Sequence, residues 1–123
     1  MSKKILVVDD SPTVRQQVQI ALKDCGFEIL EASDGVEGIS KISTDREVAL
    51  VILDVNMPRM NGLEMLEKVK DAGENASLLV IMLTSEGQQA LIERAKKAGA
   101  KGWIVKPFKA ELLAAAVRKL LAA

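Results

Sequence analysis

Short runs of apolar residues alternate five times with stretches whose apolar positions recur every three or four residues. A continuous apolar run bounded by polar residues reads as a strand buried on both faces, whereas the longer spacing reads as a helix with one apolar stripe. Strands are predicted at residues 4–8, 28–32, 49–53, 78–83 and 102–105. The first helix opens with Ser11 as cap and Pro12 in its first position, where a missing N–H costs nothing, and ends near Gly26. Val14, Val18, Ala21 and Leu22 share its inner face. The second helix runs from Gly35 to Ser43 and is expected to turn Val36, Ile39 and Ile42 inward. A third, after Asn61-Gly62, would bury Leu63, Leu66 and Val69. The fourth covers Gln88 to Ala98 and stops at Gly99, and the fifth, from Ala110, repeats Leu112-Leu113, Ala116-Val117 and Leu120-Leu121 as a broad apolar stripe. This alternation implies an α/β fold, a parallel sheet covered on both faces by helices.

Four of the strands stop at a polar side chain. Asp9 and Asp10 follow Ile5-Leu6-Val7-Val8, Asp54 follows Leu50-Val51-Ile52-Leu53, Thr84 follows the run ending at Leu83, and Lys106 follows Trp103-Ile104-Val105. Ligands of open α/β sheets bind in the crevice outside the carboxyl ends of the strands, so these residues mark a candidate site. An Asp-Asp pair alone is an ordinary turn or cap; the joint placement at four strand ends is what points to chemistry. With a strand order of 2-1-3-4-5 the three carboxylates would lie close together and repel. Clustered oxygen donors of that kind suit a hard divalent cation, Mg²⁺. Asp54, alone at its strand end, is the candidate nucleophile toward phosphorus, with Asp9 and Asp10 as metal ligands. Lys106 and the Thr84 hydroxyl could each meet an oxygen of a phosphoryl group.

The chain has 123 residues, the length of one ordinary domain, and a single domain over 1–123 without an output domain is expected. Aromatic residues are few (Phe27, Trp103 and Phe108), so aliphatic side chains must build the core. Seventeen basic and seventeen acidic residues balance, which gives no field favouring nucleic acid or an anionic membrane. The first apolar run is too short for a signal peptide or a membrane span. Cys25 is the one cysteine, which excludes an internal disulfide and fits a reducing cytoplasm. There is no histidine, so the chain has no imidazole base and cannot phosphorylate itself on histidine; any phosphoryl group must come from elsewhere.

The segments Val7-Val8-Asp9-Asp10-Ser11, Leu53-Asp54-Val55-Asn56-Met57-Pro58 with Asn61-Gly62, Leu83-Thr84-Ser85 and Lys106-Pro107-Phe108 together resemble the receiver domain of two-component response regulators, in its CheY-like single-domain form. The likeness spans essentially the whole chain. It implies a flavodoxin-like fold, a five-stranded parallel sheet in the order 2-1-3-4-5 with five helices on both faces. It also implies that Asp54 accepts a phosphoryl group from a phosphohistidine on a partner histidine kinase. Asp10, Asp54 and the backbone carbonyl of Asn56 would ligate Mg²⁺, Asp9 acting partly through water. Lys106 would pair with the phosphoryl oxygens, Thr84 would swing toward them, and Asn56 and Glu86 would modulate the phosphoryl lifetime, as would a partner phosphatase.

The resemblance further implies that the signal is relayed through an aromatic residue on the fifth strand, and the matching position here is Trp103, where Tyr or Phe is more usual; indole is larger than phenol and accepts no hydrogen bond. The implied output surface joins the fourth helix, fifth strand and fifth helix near Lys96, Lys97, Lys101, Trp103 and Lys109, suited to an acidic amphipathic peptide. A cytoplasmic monomer is expected, a signalling switch rather than a metabolic enzyme, acting in chemotaxis on the flagellar motor switch. The alternative within the class is a phosphorelay intermediate or phosphate sink. More remote are a haloacid-dehalogenase-type phosphatase, which wants an Asp where Asn56 stands, and a flavin carrier, whose phosphate the pair Asp9-Asp10 would repel.

Overall fold

In the computed structural model, residues 4–45, 47–55, 64–68, 78–84 and 89–122 are described. Five strands, β1 (Lys4–Val8), β2 (Glu28–Ala32), β3 (Val48–Asp54), β4 (Leu79–Thr84) and β5 (Gly102–Val105), form one parallel sheet in the order β2-β1-β3-β4-β5. The helices are α1 (Pro12–Leu22), α2 (Gly35–Thr44), α3 (residues 64–68), α4 (Gln89–Lys97) and α5 (Ala110–Ala122).

The sheet separates two cores, as strand alternation requires. Ile5, Val7, Leu50, Ile52, Ile81, Leu83 and Ile104 pack with Val18 and Leu22 of α1 and Leu113, Val117 and Leu121 of α5. Leu6, Val8, Val51, Leu53, Val80 and Met82 pack on the other face with Ile42 of α2, Met65 and Leu66 of α3 and Ala95 of α4. Leu66 is buried as its spacing predicts; Leu63 and Val69 lie outside the described residues.

Local signals set the helix ends. Ser11 is in an extended conformation and its Oγ accepts the Val14 N–H at 3.3 Å, with Pro12 opening α1. The last turn before Gly26 tightens into a 3-10 turn, Lys23–Cys25, and Gly26 takes φ 84°. Asp34 caps α2 by accepting the Glu37 N–H at 2.9 Å, while the Glu37 carboxylate reaches back to the Ser33 N–H (2.7 Å) and Oγ (2.9 Å). These two bonds to Ser33, the backbone one foremost, hold the Glu37 carboxyl below its ordinary range. At Gly99, φ is 101°, and the Ala100 N–H closes on the Ala95 carbonyl at 3.0 Å, ending α4.

Two expectations about inward faces are corrected. Val36 is 45% exposed, because α2 turns its glycines, Gly35 and Gly38, toward the sheet together with Ile42. A Cβ at Gly38 would lie 2.9 Å from Met65 Sδ, so this helix sits too close for a larger stripe, and Val36 is rotated off it. Leu112 is also exposed, at 58%; the buried row of α5 is Leu113, Val117 and Leu121 at four-residue spacing, and Leu112 falls beside it.

Candidate functional site

The sheet's register, added to side-chain alternation, assembles the site. Ile5, Val7 and Asp9 point to one face of β1, as do Leu50, Ile52 and Asp54 on β3 and Ile104 and Lys106 on β5. Val8 pairs with Leu53, so Asp9 and Asp54 emerge side by side where the ladder ends. Thr84 pairs with Val105, and Lys106 leaves β5 one residue later through a cis Lys106-Pro107 peptide.

The carboxylates of Asp9, Asp10 and Asp54 each offer an oxygen within 4.8 Å of the others. Asp9 and Asp54 are buried and Asp10 is exposed. Lys106 spans the buried pair, its Nζ lying 3.0 Å from Asp9 Oδ2 and 3.1 Å from Asp54 Oδ1. Burial is the largest influence on this ammonium and works against its charge. The hydrogen bonds to Asp9 and Asp54 outweigh it, so Lys106 titrates above the usual lysine range. Asp9 is held at its other oxygen too, where Oδ1 accepts the Ser11 N–H at 2.9 Å. A single residue, Ser11, therefore caps α1 and orients the first carboxylate.

One ammonium offsets one of three carboxylates and leaves a negative excess that a divalent cation would balance. The donors are all hard oxygens, on three residues of which one is exposed, so the residues present fit Mg²⁺.

Of the other residues singled out in the sequence, Thr84 ends β4, but its side chain lies outside the described residues. Asn56, Glu86 and the 56–62 loop lie outside them as well. Trp103 is half-buried on β5 against the α2–α4 core, with Lys96 Nζ 4.7 Å from its ring centroid. On the opposite side of β5 a groove of about 180 Å³ is lined by Ile81, Lys101, Trp103, Ala116, Lys119 and Leu120 among others.

Sequence reasoning missed Arg15, whose Nη1 donates to the Asp9 carbonyl at 2.6 Å and whose Nε donates to Glu31 Oε1 at 2.8 Å. Its position offered a signal. It lies four residues after the cap Ser11, and helical side chains lean toward the N-terminus, so Arg15 covers the chain entering the helix. Glu31 was hidden for a different reason, since only the β1–β2 pairing brings it beside α1.

A family described as response regulator receiver domain matches residues 5–118. The chain is 41% identical over 111 residues to chemotaxis protein CheY1 of Helicobacter pylori, covering 89% of this chain and 90% of that one. It has the same identity over 111 residues with a chemotaxis protein CheY homolog of Campylobacter jejuni, covering 89% and 85%. Among solved structures, the chemotaxis response regulator CheY4 of Vibrio cholerae superposes with a TM-score of 0.88 at 37% identity, over 98% of this chain and 99% of that one. The BeF3-activated DrrB receiver domain superposes with a TM-score of 0.85 at 27% identity, over the full length of both chains. With the sheet order, the paired strand-end carboxylates and the lysine between them in place, the chain belongs to the response regulator receiver domain family, in its CheY-like form.

Proposed function

We propose that this protein is a phosphorylation-dependent switch of a two-component system, with Asp54 as the residue that accepts the phosphoryl group from a histidine kinase. The observation that carries the reading is the position of Lys106, which reaches across the sheet to a buried carboxylate pair at the carboxyl ends of β1 and β3. A site built only for stability has little use for buried carboxylates sharing one cation; a site that exchanges phosphoryl oxygens does.

In this reading an Asp54 carboxylate oxygen attacks the phosphorus of a phosphoimidazole. The new O–P bond forms as the N–P bond breaks, and the departing imidazole takes up a proton. Asp9, Asp10 and Asp54, with the Asn56 carbonyl, would hold Mg²⁺, which supplies charge neutralisation for the phosphoryl oxygens when bound. Lys106 exchanges its bond to Asp54 for one to a phosphoryl oxygen and keeps its bond to Asp9. Thr84 supplies a hydroxyl to another of those oxygens, and Asn56 and Glu86 set how readily water removes the group.

The added charge and acceptors then bias the surface of α4, β5 and α5. Trp103, with Lys96 over its ring and Lys101 nearby, is the element there that a partner would read, and an acidic peptide is the partner its charges suit. The names of the relatives support chemotaxis as the setting. In this reading the target is a flagellar motor switch protein and the place is the cytoplasm.

Incubation with acetyl phosphate and Mg²⁺, followed by intact-mass spectrometry, should add one phosphoryl group to the wild type and none to Asp54→Asn. Undiminished addition to the variant would move the acceptor elsewhere. Capture by an immobilised flagellar switch peptide should depend on beryllofluoride, and equal capture without it would defeat the motor assignment.

A further inference from the structure

A second cation reaches the acidic corner without entering it. Arg15 stands one turn into α1, its N–H bonded to the Ser11 carbonyl at 3.1 Å, with a side chain 17% exposed. Its guanidinium is used in two directions at once. Nη1 donates to the main-chain carbonyl of Asp9 at 2.6 Å, and Nε donates to Glu31 Oε1 on β2 at 2.8 Å. Gln19, one turn further along α1, donates to the second oxygen of Glu31.

The bonded carbonyl belongs to the peptide group joining Asp9 to Asp10. The amide of Asp9 is fixed by its last sheet bond, to the Ala32 carbonyl at 3.1 Å, and its carboxylate by Ser11 and Lys106. Arg15 therefore fixes the one remaining polar group of Asp9. In doing so it sets the plane from which Asp10, the exposed member of the carboxylate cluster, leaves the chain.

We propose that Arg15 is a positioning residue for the divalent-cation site, orienting the Asp9–Asp10 peptide, while Glu31 holds the guanidinium on the carbonyl and away from the carboxylates. This rests on the reading that the three carboxylates bind Mg²⁺. A planar fork suits the task, because it satisfies the carbonyl and the carboxylate in fixed relative geometry, whereas a lysine would offer a single point charge.

The sign of the effect separates positioning from simple charge. Removing a nearby positive charge should tighten Mg²⁺ binding by electrostatics alone, while removing a support should weaken it. Isothermal titration of the full-length, phosphate-free protein with Mg²⁺ reads the difference directly. Arg15→Ala is expected to raise the Mg²⁺ dissociation constant about tenfold, the lower end of the effect of losing an outer partner of a ligand. Arg15→Lys should recover only part of that loss, and Glu31→Gln should raise the constant about threefold in the wild type but add nothing in the Arg15→Ala background, because Glu31 acts through the guanidinium. Unchanged or tighter binding by Arg15→Ala overturns the proposal. If that variant does not give a cooperative melt without metal, Arg15→Met, which removes the charge and keeps an unbranched stem, decides on the same terms, with unchanged or tighter binding as the refuting result. A wild type that takes up no Mg²⁺ overturns the carboxylate reading itself, and this proposal with it.

Discussion

Replacing Lys106 by Met isolates the electrostatic balance of the site in the absence of metal. The substitution keeps an unbranched side chain and deletes the ammonium that lies 3.0 Å from Asp9 and 3.1 Å from Asp54. Removing one partner of a fully buried ion pair costs about 3–5 kcal/mol, because the remaining charge stays buried. Two features reduce that figure here. The Lys106 side chain keeps 24% of its exposure, so solvent already screens part of the interaction, and deletion also relieves the ammonium's own desolvation. A loss of about 2 kcal/mol at pH 7 is expected, which for a domain of this size lowers the melting temperature by about 6–10 °C.

The pH dependence has a definite sign. Because the folded-state pKa of Lys106 lies above its ordinary value, its stabilising contribution is complete below the unfolded lysine pKa and is lost as pH rises through the folded value. The gap between wild type and Lys106→Met should therefore hold steady through neutral pH and close only above about pH 10. Heat and urea melts followed by circular dichroism in EDTA, from pH 7 to 11, measure both quantities. A variant as stable as wild type at pH 7 would show that solvent, and not Lys106, balances the buried carboxylates.

Two further outcomes concern the elements around the site. Gly38→Val should destabilise the protein by about 2 kcal/mol in urea melts, since a Cβ there meets Met65 Sδ and Cε at 2.9 Å and Val8 Cγ2 at 3.1 Å, and only the methionine tip can move aside. A variant of wild-type stability would mean that α2 can shift off the sheet freely. Glu37→Gln should cost about 0.5 kcal/mol at pH 7 by weakening the α2 cap, a small figure because the group is close to solvent. As the Glu37 carboxyl is held below its ordinary value, that difference should vanish as pH falls through the depressed folded value; a difference that persists at pH 2 would refute the capping account.

The site was legible because its chemistry sits at the ends of patterns. Asp9, Asp54 and Lys106 are each the next same-face position of an alternating strand row, and a period of two can be read without coordinates. Ser11 and Pro12 announced α1, and Gly99 announced the end of α4, for equally local reasons. The faces of α2 and α5 were read less well. A stripe of three-residue spacing admits several rotations about the helix axis, and the choice depends on how closely the helix can approach its neighbours. At α2 the deciding residue is Gly38, whose missing side chain says nothing in a hydropathy pattern.

The sequence by itself determined the α/β class, the strand ends that carry functional groups, the helix caps and the charge types available for phosphoryl chemistry. All of these depend on neighbours within a few positions. Tertiary structure alone decided that Lys106 lies across Asp9 and Asp54, because that contact joins residues 97 positions apart and needs both the strand order and the register. The Arg15–Glu31 brace on the Asp9 carbonyl arose the same way, from the pairing of β1 with β2. A local pattern can say which groups a strand delivers; which of them meet is set by chain entropy and packing over the whole sheet, and no window of sequence contains it.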